Sequence, residues 1–125
     1  MEMEAEKCIS SILHDIERRK TVDFGDKQSV RQYNAAMDRI YMNGRRIDTA
    51  YPEHLGLLIE LLYHNDIKVV LTIATMLQTL TNVTKAQRLE AIAVLEMHMA
   101  QNALTPVEKI ACSINIQKWR ENMLE

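Results

Sequence analysis

The stretch Tyr51–Leu80, YPEHLGLLIELLYHNDIKVVLTIATMLQTL, decides the fold. Leu55, Leu58, Ile59 and Leu62 fall at i, i+3, i+4 and i+7, one face of a helix. Leu57 and Leu61 widen that face until most of the circumference is apolar, as a central helix requires. Pro52 fits the first helical position, where its missing N–H has no partner to lose. His64-Asn65-Asp66 interrupts the pattern, and Asn or Asp suits an N-cap because its oxygen accepts from the exposed N–H groups of the next turn. Val70, Ile73, Ala74 and Leu77 then repeat the stripe, flanked by Val69, Leu71, Met76 and Leu80. The stretch therefore reads as two apolar helices folded back on each other. Along the second, Lys68, Thr72, Thr75 and Thr79 form one narrow polar line. It is either a seam that lets a neighbouring helix come close or a recognition stripe.

The periodicity continues on both sides. Ala5, Cys8, Ile9, Ile12, Leu13 and Ile16 predict a helix over 3–20 with one apolar face, closed by Arg18-Arg19-Lys20 at the negative end of its dipole. Gly25-Asp26 reads as a turn and cap. A second helix follows over 27–47, with Val30, Tyr33, Met37, Ile40, Tyr41, Gly44 and Ile47 inward and Asn34 at the edge. Beyond the hairpin, Thr84-Lys-Ala-Gln87 and Thr105-Pro-Val-Glu108 have the spacing of capping boxes. The first opens a helix to about residue 101, with Ala86, Leu89, Ile92, Ala93 and Met97 as its main stripe and Leu95 and Met99 extending it. The second opens a helix to about residue 124 with two apolar stripes. Val107, Ile110, Ala111 and Ile114 make one; Cys112, Ile116, Trp119 and Met123 make the other. Two stripes mean deep burial or a face left for a partner, a homodimer included.

The fold class is thus all-α, about six helices in antiparallel pairs. The chain of 125 residues reads as a single helical domain, with 1–25 an N-terminal helix and loop and 26–125 the helical core. Composition agrees: 47% of residues are apolar but only 5% aromatic, and a load of Leu, Ile, Ala and Met favours helix over sheet. The pairs 51–80 and 84–124 repeat at roughly 40 residues, the period of HEAT-type repeats. That predicts a HEAT-like, right-handed α-solenoid stack.

No catalytic motif is legible. There is no glycine-rich phosphate loop, H-E-x-x-H, C-x-x-C or G-x-S-x-G. The four histidines have no ligand-like spacing, and Met97-His98-Met99 reads as core filling, since alternate helix positions point apart. No metal, cofactor or enzymatic activity is expected. Cys8 and Cys112 read as small buried hydrophobes, which suits a reducing cytoplasm. The opening MEMEAEK lacks the basic and apolar regions of a signal peptide, and no apolar run reaches the length of a membrane span, about 18 residues. A cytoplasmic location without membrane contact is expected.

Tyr33-Asn34 with Asp38-Arg39, then Leu57-Leu58 and Leu61-Leu62 leading into His64-Asn65 and Val69, resemble a small bacterial family of HEAT-like domains of unknown function. The resemblance covers roughly 26–120. Asn65-Asp66-x-x-Val69-Val70-x-x-x-Ala74 looks like the start of a HEAT second helix, with Val70 where a basic residue is usual. The chain also looks like immunity proteins of contact-dependent growth inhibition, which bind one toxin domain and cover its active site. What this resemblance implies is an immunity or antitoxin protein that neutralises one cognate bacterial toxin, a nuclease among the options, by occlusion.

Charge supports such a partner modestly. Segment 51–83 carries Glu53, Glu60 and Asp66 against Lys68. An acidic rigid surface speeds encounter with a basic nuclease. The expected contact residues are Glu53, Glu60, Asp66 and the line Lys68, Thr72, Thr75, Thr79, with Trp119 as an anchor or a core residue. The alternative is a nucleic-acid-binding helical repeat using Lys27, Arg31, Arg39, Arg45 and Arg46. Segment 21–50, however, sets only five basic residues against four acidic ones, and the net charge is −2. A small enzyme with a site assembled from scattered residues is the remaining alternative.

Overall fold

The computed structural model describes residues 3–124, and every regular element in them is helical. Six α-helices run in order: α1 (Glu4–Arg19), α2 (Lys27–Ala50), α3 (Gly56–Glu60), α4 (Ile67–Leu77), α5 (Lys85–Ala100) and α6 (Pro106–Met123). Met1 and Glu2, the start of the acidic MEMEAEK segment, lie outside the described residues. No described helix is long and apolar enough to cross a membrane.

The chain divides into two compact units. The first comprises the residues up to Glu60 together with Leu80–Asn82. Its frame is the α1–α2 pair. Ala5, Cys8, Ile12 and Ile16 of α1 are buried, as are Ala36, Ile40, Gly44 and Ile47 of α2. Asp15 meets Arg39, Ser11 meets Asn43 and Glu4 meets Arg46, so positions rise along one helix as they fall along the other. The pair is antiparallel. Both helices belong to this unit. Asp26 caps α2 by accepting from Gln28 N–H, and Asp23 accepts from Gly25 N–H in the preceding turn. Arg19 lies over the Tyr33 ring at 5.3 Å, and Phe24 meets that ring edge-on. Helix α2 runs three residues past Ile47, which places Gly44 inside it, and Asn34 is exposed instead of half-buried.

The expected continuous helix over 51–63 is corrected. A 3-10 turn covers Pro52–His54, α3 is five residues long, and a second 3-10 turn covers Leu61–Tyr63. The i→i+3 bonds are explicit: His54 N–H donates to Tyr51 C=O at 2.8 Å and His64 N–H to Leu61 C=O at 3.2 Å. Periodicity does not separate 3-10 from α over so short a run, and Gly56 weakens the α-helix where it starts. Leu55, Leu58 and Leu62 are buried as expected.

The second unit comprises Leu61–Thr79 and the chain from Val83 onward. Asp66 caps α4, accepting from Lys68 N–H at 2.9 Å. Val69, Val70, Ile73, Ala74, Met76 and Leu77 bury most of that helix. It packs on α5, with Gln78 Nε2 donating to Arg88 C=O. Both capping boxes are present: Thr84 with Gln87, and Thr105 with Glu108. Glu96 meets Arg120 and Asn102 meets Lys109, so positions rise along α5 and its end as they fall along α6, and this pair too is antiparallel. They have 16 and 18 residues, far longer than α3, so the pairs 51–80 and 84–124 are unequal.

The inward faces of α5 and α6 differ from expectation. Ala91, Ile92, Val94 and Leu95 are buried in α5, while Ala86, Leu89, Ala93 and Met97 are exposed. In α6, Cys112 and Ile116 are buried, with Trp119 and Met123 half-buried behind them. The other stripe, Val107, Ile110, Ala111 and Ile114, faces outward. Both helices are apolar on more than one side, so the hydrophobic pattern does not select the buried one.

Candidate interaction surfaces

The outward row of α6 is the most exposed apolar helix face of the second unit. Its spacing is i, i+3, i+4 and i+7, and Val107, Ile110 and Ile114 are 77%, 64% and 50% exposed. Pro106 and the Thr105–Glu108 capping box fix where α6 begins. Glu108 is additionally held by Lys68 Nζ. Burial pushes the Glu108 carboxyl up, but hydrogen bonds from Lys68 and Thr105 and the Lys68 charge outweigh it and hold the group below the ordinary carboxylate value. The rotation of α6 is thereby set, and with it the direction of the row.

Two clefts flank α6. One, about 550 Å³, lies between α5 and α6, with Met99, Ile116 and Leu124 as its apolar lining. The Glu96–Arg120 pair stands at its side, with Arg120 Nη2 donating to Glu96 Oε1 at 2.6 Å and Nη1 to Oε2 at 3.1 Å. The other, about 270 Å³, is lined by Gln78, Val83, Lys85, Arg88, Trp119, Asn122 and Met123.

The residues expected to contact a partner fall in both units. Glu53 and Glu60 are exposed in the first unit, with Glu53 Oε1 3.7 Å from His54 Nε2. Asp66 is half-buried and occupied as the α4 cap, and Lys68 is engaged with Glu108. Thr72 is buried, and its hydroxyl donates to Lys68 C=O at 2.8 Å. Thr75 Oγ1 donates to Leu71 C=O and Thr79 Oγ1 to Met76 C=O. Each hydroxyl proton is thus returned to its own helix. Trp119 is half-buried in the smaller cleft. Sequence reasoning singled out Trp119 but passed over Lys85 and Arg88, which share that cleft. Their signal was available: i, i+3 spacing just inside a capping box.

The basic residues of α2 are partly neutralised. Arg39 is bonded through Nε and Nη2 to the buried Asp15 carboxylate, and Arg46 lies 3.7 Å from Glu4. Cys8 and Cys112 are buried and unpaired; burial pushes both thiols up, and Glu108 adds to the rise at Cys112. Thiols so placed are weak nucleophiles. Met97 is exposed and not core filling, whereas Met99 lines the larger cleft. Among the described residues no group of three or more His, Cys, Asp or Glu is arranged to hold a metal ion. Comparison with family models, curated proteins and solved structures gives no match.

Proposed function

We propose that the chain is a protein-binding module, in the form of an immunity protein that neutralises one cognate bacterial toxin domain by covering its active site. The observation that supports a binding role is the outward apolar row Val107, Ile110, Ala111 and Ile114 on α6. Folding leaves this row in water although a buried alternative face exists on the same helix. Burying such side chains against a partner is worth on the order of 1–2 kcal/mol each at their observed exposure. A central apolar row with a polar surround is the usual anatomy of a protein contact. Glu53 and Glu60 are exposed acids that would speed encounter with a basic toxin without anchoring it.

The test is a binding and protection assay with the toxin domain encoded beside this chain. The expected result is a one-to-one complex that survives high salt, loss of toxin activity in it, and at least about tenfold weaker binding for Ile110→Glu. Normal far-ultraviolet circular dichroism of the variant would show that the fold is kept. Absence of a complex, or Ile110→Glu and Ile114→Glu both binding as the parent does, would overturn the proposal.

A further inference from the structure

We propose that the outward face of α5 joins two copies of this chain, the two helices running antiparallel about a two-fold axis at Ala93. From Ala86 to Ala100, six residues of α5 are exposed: Ala86, Leu89, Ala93, Glu96, Met97 and Ala100. Leu89 and Met97 are 42% and 46% exposed. Glu96 alone among the six is charged, and Arg120 neutralises it through two hydrogen bonds, so covering this face strands no unpaired charge. The long helices of the first unit differ: the exposed residues of α1 include Glu4, Lys7, Glu17 and Arg18, and those of α2 include Lys27, Arg31, Asp38 and Arg45.

The order of the side chains points to a second copy as the occupant. Outward from Ala93 the row is the same in both directions, a long apolar side chain at four residues and alanine at seven: Leu89 and Ala86 one way, Met97 and Ala100 the other. A two-fold interface is self-complementary, since each patch meets its own image. Turning α5 end over end about Ala93 sets Ala93 against its copy, Leu89 level with Met97 of the other copy, and Ala86 level with Ala100. Four residues make about 400° of turn, so Leu89 and Met97 lean about 40° to opposite sides of Ala93. Leu89 of one copy therefore stands beside Met97 of the other and not head-on to it, and the flexible thioether chain moulds to its neighbour. Alanine at the centre and at both ends lets the two axes come to the short end of the range for packed helices, about 8–10 Å. A partner of unrelated sequence has no use for this symmetry. One helix face per copy is less than the roughly 1,200 Å² of a stable complex, so the dimer forms only as concentration rises.

Sedimentation equilibrium of the whole chain, from about 1 μM to about 500 μM, reads the association directly. Expected is a mass that rises from 14.5 kDa, one chain, toward two. Ala93→Glu sets two carboxylates against each other at the axis and should weaken association at least about tenfold, with thermal unfolding of the single chain unchanged. Cysteine cross-linking reads the geometry. Ala93→Cys should form a disulfide with its own copy on mild oxidation, while the parent, whose Cys8 and Cys112 are buried, should not. Ala86→Cys should not link to itself, because the two copies of that position lie about 21 Å apart along the axes, but should link to Ala100→Cys in a mixture. A mass of one chain throughout would overturn the proposal, as would Ala93→Glu associating as the parent does, or Ala86→Cys linking to itself as readily as Ala93→Cys. Loss of association in Ile110→Glu but not in Ala93→Glu would move the contact to α6 and overturn it too. The inference stands independently of the toxin partner proposed above, which engages the α6 row.

Discussion

Asp48 on α2 and Asn82 in the loop before α5 hold each other from both sides. Asp48 Oδ1 accepts from Asn82 N–H at 2.8 Å, and Asn82 Nδ2 donates back to Asp48 C=O at 2.8 Å. Asp48 Oδ2 accepts from Thr81 N–H at 2.8 Å as well. Asp48 is 2% exposed, so both carboxylate oxygens are consumed by backbone donors away from water. An amide in its place offers one acceptor and turns a donor toward an N–H. Asp48→Asn is expected to cost about 1–3 kcal/mol in urea unfolding, and Asn82→Ala about 1 kcal/mol. A neutral result for Asp48→Asn would mean that the loop is held by something else.

The Lys68–Glu108 contact separates two contributions at one residue. Glu108→Gln keeps the reciprocal cap with Thr105 and loses the ion pair; Glu108→Ala loses the ion pair and the bond from Thr105 N–H to the side chain, while the backbone N–H at 108 still donates to Thr105 Oγ1. The glutamine variant should lose about 0.5 kcal/mol and the alanine variant about 1–1.5 kcal/mol more. The fold holds Glu108 below its ordinary value, so its contribution is whole above the unfolded carboxylate value. That contribution is lost as pH falls through the folded value. Denaturant midpoints should therefore part between the parent and Glu108→Gln at neutral pH and converge as pH falls below the ordinary carboxylate range. Equal gaps at both ends would refute the linkage.

Gly56 opens α3 with nothing within 4 Å of an added Cβ. Its φ is not in the left-handed region, so alanine enters without strain. Gly56→Ala is expected to stabilise by about 0.4–1 kcal/mol, mainly by restricting the unfolded chain, and to raise the melting temperature by a few degrees. A lower melting temperature would show that the 3-10 to α junction needs glycine.

The two candidate contact faces make opposite forecasts. Thr75→Val removes a hydroxyl bonded only to its own helix and should leave partner binding within about twofold. Ile110→Glu places a charge in the outward row and should weaken it by about tenfold or more. Affinities in the reverse order, by calorimetry, would return the contact to α4.

Local features were legible in the sequence because they depend on neighbours in the chain. The Asp26 and Asp66 caps, both capping boxes, the Ala5-Cys8-Ile12-Ile16 face and the six-helix all-α class follow from spacing and side-chain reach. The break of 51–63 into 3-10 and α segments was not legible, since its bonding choices differ by one residue.

Position 15 shows the limit on the other side. Asp15 lies three residues after Ile12 and seven after Cys8, on the buried arc of α1, and its carboxylate is held there by Arg39 on the next helix, a partner that spacing along the chain does not reveal. Asp48 is buried for the same kind of reason, and the donors that satisfy it lie over thirty residues away. The sequence by itself determined which segments are helices and how most of them start. Only the tertiary structure decided which side of α5 and α6 turns inward, and so left Val107, Ile110 and Ile114 in water and set Lys85, Arg88 and Trp119 around one cleft. Helix formation is governed by local bonding and propensity, whereas the choice between two apolar faces is governed by which neighbour each can be packed against.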